Sequence, residues 1–314
     1  MSDFLKLGLL GHPLSHALSA TLQSAALQFA GIKGEYSDFD IKPEFLTDGI
    51  QDMLASGVKG FNITIPYKQS IYKMADDLTE EARLATAVNT VKVENSGKLF
   101  GHNTDIIGFK LALSEAFADP FVPEKNVHNS GGTVSSEKTA LIIGAGGAAR
   151  AVVVALAQLG FKKVKIMGRD SNKVRSFISE METNLAQTIG SKDSMLTMSL
   201  WENEPTNFAD LDLVINASPI GLKDEAPPEW ISQLIAKLND QCLCFDLVYG
   251  RDGKLPVFTK LALRRGLNAI DGLPMLIHQA RYAFEFWTGV MVPSQVMYDS
   301  LQAIEKFEMK DLNI

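Results

Sequence analysis

The sequence predicts an α/β protein of two open domains, and three observations carry that prediction. The first is a strand, helix, strand unit between Thr139 and Asp170, interrupted by the glycine cluster GAGGAA. The second is a series of polar clusters around Lys68, Asn89 and Asp105, following apolar runs as ligand loops do at the carboxyl ends of open α/β sheets. The third is length, since 314 residues suffice for two domains of ordinary size. Residues 1–105 with 271–314 are read as a substrate-binding catalytic domain and 106–270 as a Rossmann-type NAD(P)-binding domain, with an active-site cleft between them.

In chain order, Leu5 to Leu10 is a strand ending at Gly11, and the loop from His12 to His16 leads to a helix. Leu22, Ala25, Ala26 and Phe29 are spaced there for one buried face. Ser19, near the helix start, reads either as an N-cap or as a hydroxyl donor to a substrate anion. His12 and His16 have no third ligand nearby, so no metal is expected. Tyr36 to Ile41 reads as a strand and Pro43 to Ser56 as a helix closed by Gly57. In GFNITIPYK, Phe61, Ile63 and Ile65 alternate with Asn62 and Thr64, giving a strand with one apolar and one polar face, ended by Pro66. Lys68 follows at the strand's carboxyl end, and VNT and GHNTD add Asn89, Thr90, Asn103, Thr104 and Asp105. Such an amide and hydroxyl set suits a sugar-like ring.

Residues 117–138, rich in Pro, Gly, Ser and Asn, read as a surface loop. Ala140 to Ile143 is then a strand, Ala148 to Leu159 a helix, and Lys163 to Met167 a second strand. Gly144 permits the tight turn, Gly146 lets backbone approach a ligand, and Ala149 allows close helix packing. With Gly147 and Ala148 they aim helix N–H groups at a pyrophosphate. The acid that accepts from an NAD ribose is replaced by Gly168, followed by Arg169 and Lys173, which favours NADP. Asp170 keeps NAD possible if its carboxylate points at the ribose. Ser171 to Gln187 is helical, Asp212 to Asn216 and Leu243 to Asp246 are strands, and a helix from Asp271 buries Ile277, Ala280, Phe284 and Trp287 while projecting Gln279. Ser294 to Lys310 is an amphipathic helix with Val296, Leu301, Ile304 and Phe307. Cys242 and Cys244, the only cysteines, fall on one face of a strand and read as buried apolar residues.

The hydrophobic fraction of 46%, the charged fraction of 21% and the net charge of −7 describe a globular protein with no nucleic-acid partner. No signal-peptide pattern or membrane-span-length apolar run occurs, so the expected location is cytoplasmic, without membrane association. A nicotinamide cofactor moves a hydride, so the protein must manage a proton at a carbinol or carbonyl group. Partial desolvation eases deprotonation of an ammonium and a neighbouring carboxylate opposes it, so Lys68 with Asp105 fits the task.

GHPLSHALS, NITIPYK, AVNT, GHNTD, IIGAGGAARA, INASPIGL, FDLVYG and DGLPMLIHQA, in that order, make the chain resemble the shikimate dehydrogenase family. The resemblance spans nearly everything outside residues 117–138. It implies reversible reduction of 3-dehydroshikimate to shikimate with NADPH in aromatic amino-acid biosynthesis (the chorismate pathway), or the related oxidation of quinate, by a monomer or homodimer. It further implies that Lys68 and Asp105 are catalytic. Ser19, Thr64, Asn89, Tyr249 and Gln279 are implied to bind a ring polyol carboxylate, and Ser218, Leu247, Gly272 and Met275 to join the cofactor set. One departure stands out: Ala17 replaces the first serine of the family's S-x-S, and Ser15 is two residues out of register. Losing one hydrogen bond to a charged group costs about 1.5–3 kcal/mol, a roughly ten- to hundred-fold loss of carboxylate affinity. A quinate or dual-specificity dehydrogenase, with NAD as an option beside NADP, is therefore the second reading, and a catalytically silent NADP-binding sensor the third.

Overall fold

Every residue of β7 (Thr139–Ile143) is buried, as expected for an interior strand of an all-parallel sheet covered on both faces. That sheet has the order β12-β11-β10-β7-β8-β9. Its other strands are β8 (Lys163–Met167), β9 (Leu196–Ser199), β10 (Leu213–Asn216), β11 (Leu243–Asp246) and β12 (Asn268–Ile270). The computed structural model describes residues 4–14, 18–116, 138–189, 195–199, 208–222, 226–250 and 253–311. They divide into two compact units, Met1–Gly108 with Leu276–Ile314, and Phe109–Met275. No helix among the described residues is long and apolar enough to cross a membrane.

In the second unit the glycine-cluster region forms as its pattern predicts, with α6 (Gly147–Gln158) between β7 and β8, followed by α7 (Ser171–Ile189). Ala149 is fully buried. Cys242 and Cys244 are free thiols, fully buried in a core with Leu141, Val214, Ile231 and Phe258. Each such large apolar side chain contributes about 1.5–3 kcal/mol by leaving water. The loop reading of residues 117–138 falls, except for Lys138, outside the described residues.

The first unit holds a mixed sheet, β2-β1-β3-β5-β6-β4. Its strands are β1 (Leu5–Gly11), β2 (Gly34–Asp40), β3 (Gly60–Ile63), β4 (Asp77–Leu78), β5 (Thr90–Val93) and β6 (Leu99–His102). β1 runs parallel to both β2 and β3, whereas β5 is antiparallel to β3 and β6. Two expectations need correction here. β3 stops at Ile63, so Ile65, expected on the apolar face, is 58% exposed, while Asn62 on the polar face is buried. A strand between two neighbours and under helices has no solvated face, and its polar side chains must pair internally. In α1 (Ser19–Phe29), Phe29 is exposed and Gln23 is buried instead, its Nε2 donating to the Ala280 carbonyl at 3.0 Å. In α10 (Leu273–Thr288), Ile277, Ala280, Phe284 and Trp287 are buried as their spacing predicts. In α11 (Ser294–Asp311) Met297 is fully buried, with Val296 and Leu301 half-buried. The side chains of Ile304 and Phe307 fall outside the described set.

Candidate active site

In the first unit, Lys68 is the first residue of α3 (Lys68–Met74) and Asp105 the first of α5 (Asp105–Ala116), so each charge sits where a loop becomes a helix. Lys68 Nζ lies 2.5 Å from Asp105 Oδ2, with the two side chains only 16% and 7% exposed. The N-terminal position favours the Asp105 carboxylate electrostatically, and its backbone N–H donates to Asn103 Oδ1 at 3.1 Å. Removing one member of such a pair would strand a buried charge, at about 3–5 kcal/mol.

Asn89 links this pair to its surroundings. Its Nδ2 donates to Asp105 Oδ1 at 2.8 Å and Thr104 Oγ1 at 2.9 Å, with Gln279 Oε1 at 3.4 Å. Its Oδ1 accepts from the Thr104 N–H at 2.8 Å and the Thr90 hydroxyl at 3.0 Å. Gln279 reaches this network from α10, its Nε2 held by the Leu276 carbonyl at 2.9 Å. Lys68, Asn89, Asp105 and Gln279, as much as 211 positions apart in the chain, thus belong to one hydrogen-bonded set. Thr64 is half-buried in the turn after β3, its carbonyl accepting the Tyr67 N–H at 3.0 Å.

Ser19 is not an N-cap: that position is Leu18, which makes no side-chain cap bond. The Ser19 side chain is instead hydrogen-bonded to Tyr36, whose phenol burial and then the charge of Asp38 push well above its ordinary range. The still-protonated phenol donates to Asn62 Oδ1 at 2.9 Å, and Asn62 Nδ2 donates to Thr90 Oγ1 at 3.0 Å. Sequence reasoning missed Tyr36; its signal is an aromatic hydroxyl amid the acidic β2 strand. His12 Nδ1 lies 2.6 Å from Asp40 Oδ1, and that hydrogen bond, with the Leu14 N–H, holds the Asp40 carboxyl below its usual range. Ser15, His16 and Ala17 lie outside the described residues.

In the second unit the cofactor candidates cluster at the carboxyl ends of the parallel strands. Gly144 has φ +112°, and a Cβ there would stand 2.7 Å from the Ala217 carbonyl oxygen, so glycine is required. Gly146 caps α6, and a Cβ on it would meet only open space. Gly147, Ala148 and Ala149 form the first turn, which carries no acidic residue. This end of α6 offers backbone N–H groups and a positive dipole to an anion and fits a dinucleotide pyrophosphate. Arg169 and Lys173 are exposed after β8. Asp170 Oδ1 accepts from the N–H groups of Asn172 and Lys173 at 3.0 and 3.1 Å, so this carboxylate oxygen caps α7.

Ser218 Oγ donates to Asn216 Oδ1 at 2.6 Å, and the Leu247 N–H donates to the Asn216 carbonyl at 2.9 Å. Gly272 packs so closely that a Cβ would lie 2.3 Å from the Leu247 carbonyl oxygen. Met275 is buried in α10, and Tyr249 is half-buried after β11 in this same unit. Sequence reasoning also missed Asn216 and Asp246. Their signal was there: each is the polar last residue of an apolar strand, LVIN and LCFD, directly before a loop of interest.

Family models match three stretches: the shikimate dehydrogenase substrate binding domain at residues 9–91, shikimate / quinate 5-dehydrogenase at 127–199, and the shikimate 5′-dehydrogenase C-terminal domain at 272–302. A shikimate dehydrogenase (NADP(+)) of Caldanaerobacter subterraneus is 34% identical, covering 94% of this chain and 95% of the relative. A shikimate dehydrogenase of Aquifex aeolicus superposes with a TM-score of 0.76 at 33% identity, over 95% of this chain and 97% of the other. The Thermus thermophilus enzyme, solved with NADP(H) and shikimate, gives 0.74 at 28% identity, over 96% and 99%.

Proposed function

Because the chain belongs to the shikimate dehydrogenase family, we propose that it is an NADP-dependent oxidoreductase that interconverts 3-dehydroshikimate and shikimate in aromatic amino-acid biosynthesis. The observation that carries this reading is the buried Lys68–Asp105 pair, bonded through Asn89 to Thr104 and Gln279. Reducing a ring ketone requires one proton at the carbonyl oxygen for each hydride at carbon, and an ammonium among amides and hydroxyls can give it.

Bound NADPH supplies the hydride. Lys68 donates its proton to the carbonyl oxygen as the new alcohol forms, and in the oxidation direction its neutral amine takes the proton back. Asp105 fixes the position of that amine. Asn89, Thr64, Gln279 and Tyr249 hold ring hydroxyls, and Ser19 donates to the ring carboxylate. The α6 N-terminus receives the pyrophosphate, with Ser218, Leu247, Gly272 and Met275 framing the nicotinamide side. Arg169 and Lys173 pair with the 2′-phosphate. With one Asp170 oxygen committed to capping α7, an NAD-directed ribose contact is the weaker reading. A quinate preference and a silent sensor are not favoured either, since the curated relatives are named shikimate dehydrogenase (NADP(+)).

Steady-state rates for shikimate and quinate, each with NADP and NAD, test the proposal. The highest kcat/KM is expected for shikimate with NADP. A matrix dominated by quinate with NAD would overturn it, and no turnover in any cell would favour the sensor.

A further inference from the structure

Asp246 is fully buried, yet no lysine, arginine or histidine is found paired with it among the described residues. Its partners are hydrogen-bond donors on three segments. Oδ1 accepts from Asn216 Nδ2 at 2.8 Å and the Val248 N–H at 3.0 Å, and Oδ2 faces the Thr259 hydroxyl at 3.4 Å. Asn216 sits opposite it in the β10/β11 register. Besides holding Asp246, Asn216 Nδ2 donates to the Ile220 carbonyl at 2.9 Å, and its Oδ1 accepts the Ser218 hydroxyl and N–H at 2.6 and 3.2 Å. The connections continue outward: Val248 accepts the Gly272 N–H at 3.0 Å, and the Ala217 N–H donates to the Ile143 carbonyl at 2.8 Å. Two side chains therefore tie the segments that follow β10 and β11 to their strand ends, and backbone hydrogen bonds extend the connection to Ile143 at the end of β7 and to Gly272 after β12.

Stability alone does not explain this arrangement. Two apolar residues of similar volume at the strand ends would avoid the desolvation of a carboxylate and an amide. The loops, however, would lose these side-chain tethers to the strand ends, because an apolar pair cannot bond backbone N–H groups and a hydroxyl on both sides. We propose that Asn216 and Asp246 are positioning residues for the cofactor side of the reaction, holding the Ser218 turn and the Leu247–Val248 segment in fixed register. The proposal rests on the dehydrogenase reading above. Burial, ahead of the opposing hydrogen bonds, raises the Asp246 carboxyl to about 7, and Asp271 adds to the rise. Cys244 on the same strand is a further titratable neighbour, its thiol raised chiefly by Cys242 and by burial.

Three full-length variants decide the matter by NADPH fluorescence titration and steady-state kinetics. Asp246→Ala removes the acceptor shared by both loops, so the dissociation constant for NADPH and the KM for NADP should rise about tenfold, with the KM for shikimate within twofold of wild type. Asp246→Asn keeps an acceptor toward Asn216 and Val248 while its amide meets the Thr259 hydroxyl, which can turn to accept. That variant should restore both cofactor constants to within about twofold. Should Asp246→Ala not fold, Asp246→Ser, too short to span both loops, carries the same test. NADPH affinity in the alanine or serine variant equal to wild type overturns the inference. So does an equal rise in the KM values for both substrates, or an asparagine variant as impaired as alanine. Failure of the wild type to oxidise shikimate would instead count against the dehydrogenase reading, while the NADPH titration would still read the positioning effect.

Discussion

The two units build their candidate sites from different materials. In the first, the site is a knot of side chains: Lys68, Asp105, Asn89, Thr104 and Gln279 satisfy one another, and Asn89, Thr104 and Asp105 are buried. In the second, the cradle is backbone: a glycine at φ +112°, the first turn of α6, and exposed Arg169 and Lys173 at the rim. A side-chain knot concentrates function, so removing one member should be costly. A backbone cradle spreads function over N–H groups that no side-chain truncation deletes, so its rim and its supports are what such mutations reach.

The sharpest way to break that comparison is Lys68→Ala. Loss of general acid–base catalysis by a placed group is expected to lower kcat by about 10²–10⁴, with NADPH affinity near that of wild type. Steady-state kinetics and NADPH fluorescence check it, and a mutant that lost both equally would show that the units do not divide the work in this way.

The next effect concerns the buried Asn216–Asp246 network in the backbone-built unit. Because the folded Asp246 carboxyl titrates at about 7 rather than near its ordinary 3.8, the fold favours its protonated form. Its contribution to stability is fully present below about pH 4 and is lost as pH rises through 7. From pH 5 to pH 8 this amounts to roughly 2–3 kcal/mol. Melting curves at the two pH values should show the wild type losing more stability than Asp246→Asn, which cannot ionise.

The smallest effect is expected at the rim. Arg169→Ala with Lys173→Ala should weaken NADP binding about tenfold, in the range of one or two charge-assisted hydrogen bonds, and leave NAD binding within about twofold. Calorimetric titration of both dinucleotides checks this, and a parallel loss for NAD would relocate these cations from the 2′-phosphate to the shared part of the cofactor.

The contrast in materials also explains what could be read from the chain. β8 runs from Lys163 to Met167, as its pattern predicts, and α6 begins one residue before its expected start. Glycine positions are legible because backbone conformation constrains them directly, and Gly144 is such a case. β5, β6 and the helix α4 (Glu80–Ala85) are too short and too mixed in polarity to stand out. Ile65 and Phe29 fooled the periodicity, because spacing names a face but not the residue at which an element ends. Buried Gln23 and Asn62 resemble surface residues until their partners, the Ala280 carbonyl and Thr90, are in view. Lys68 and Asp105 lie 37 positions apart, a separation no local periodicity bridges; the demand for a proton handler beside a carboxylate paired them, motif resemblance agreed, and the geometry supplied the 2.5 Å.

The central claim is that the amine of Lys68 carries the proton of the reaction. Its most direct test is the turnover of Lys68→Ala with shikimate and NADP as methylamine is added. A rate that is lost in the mutant and climbs with the concentration of free amine is the expected result. Wild-type turnover in the mutant without any added amine would contradict the claim.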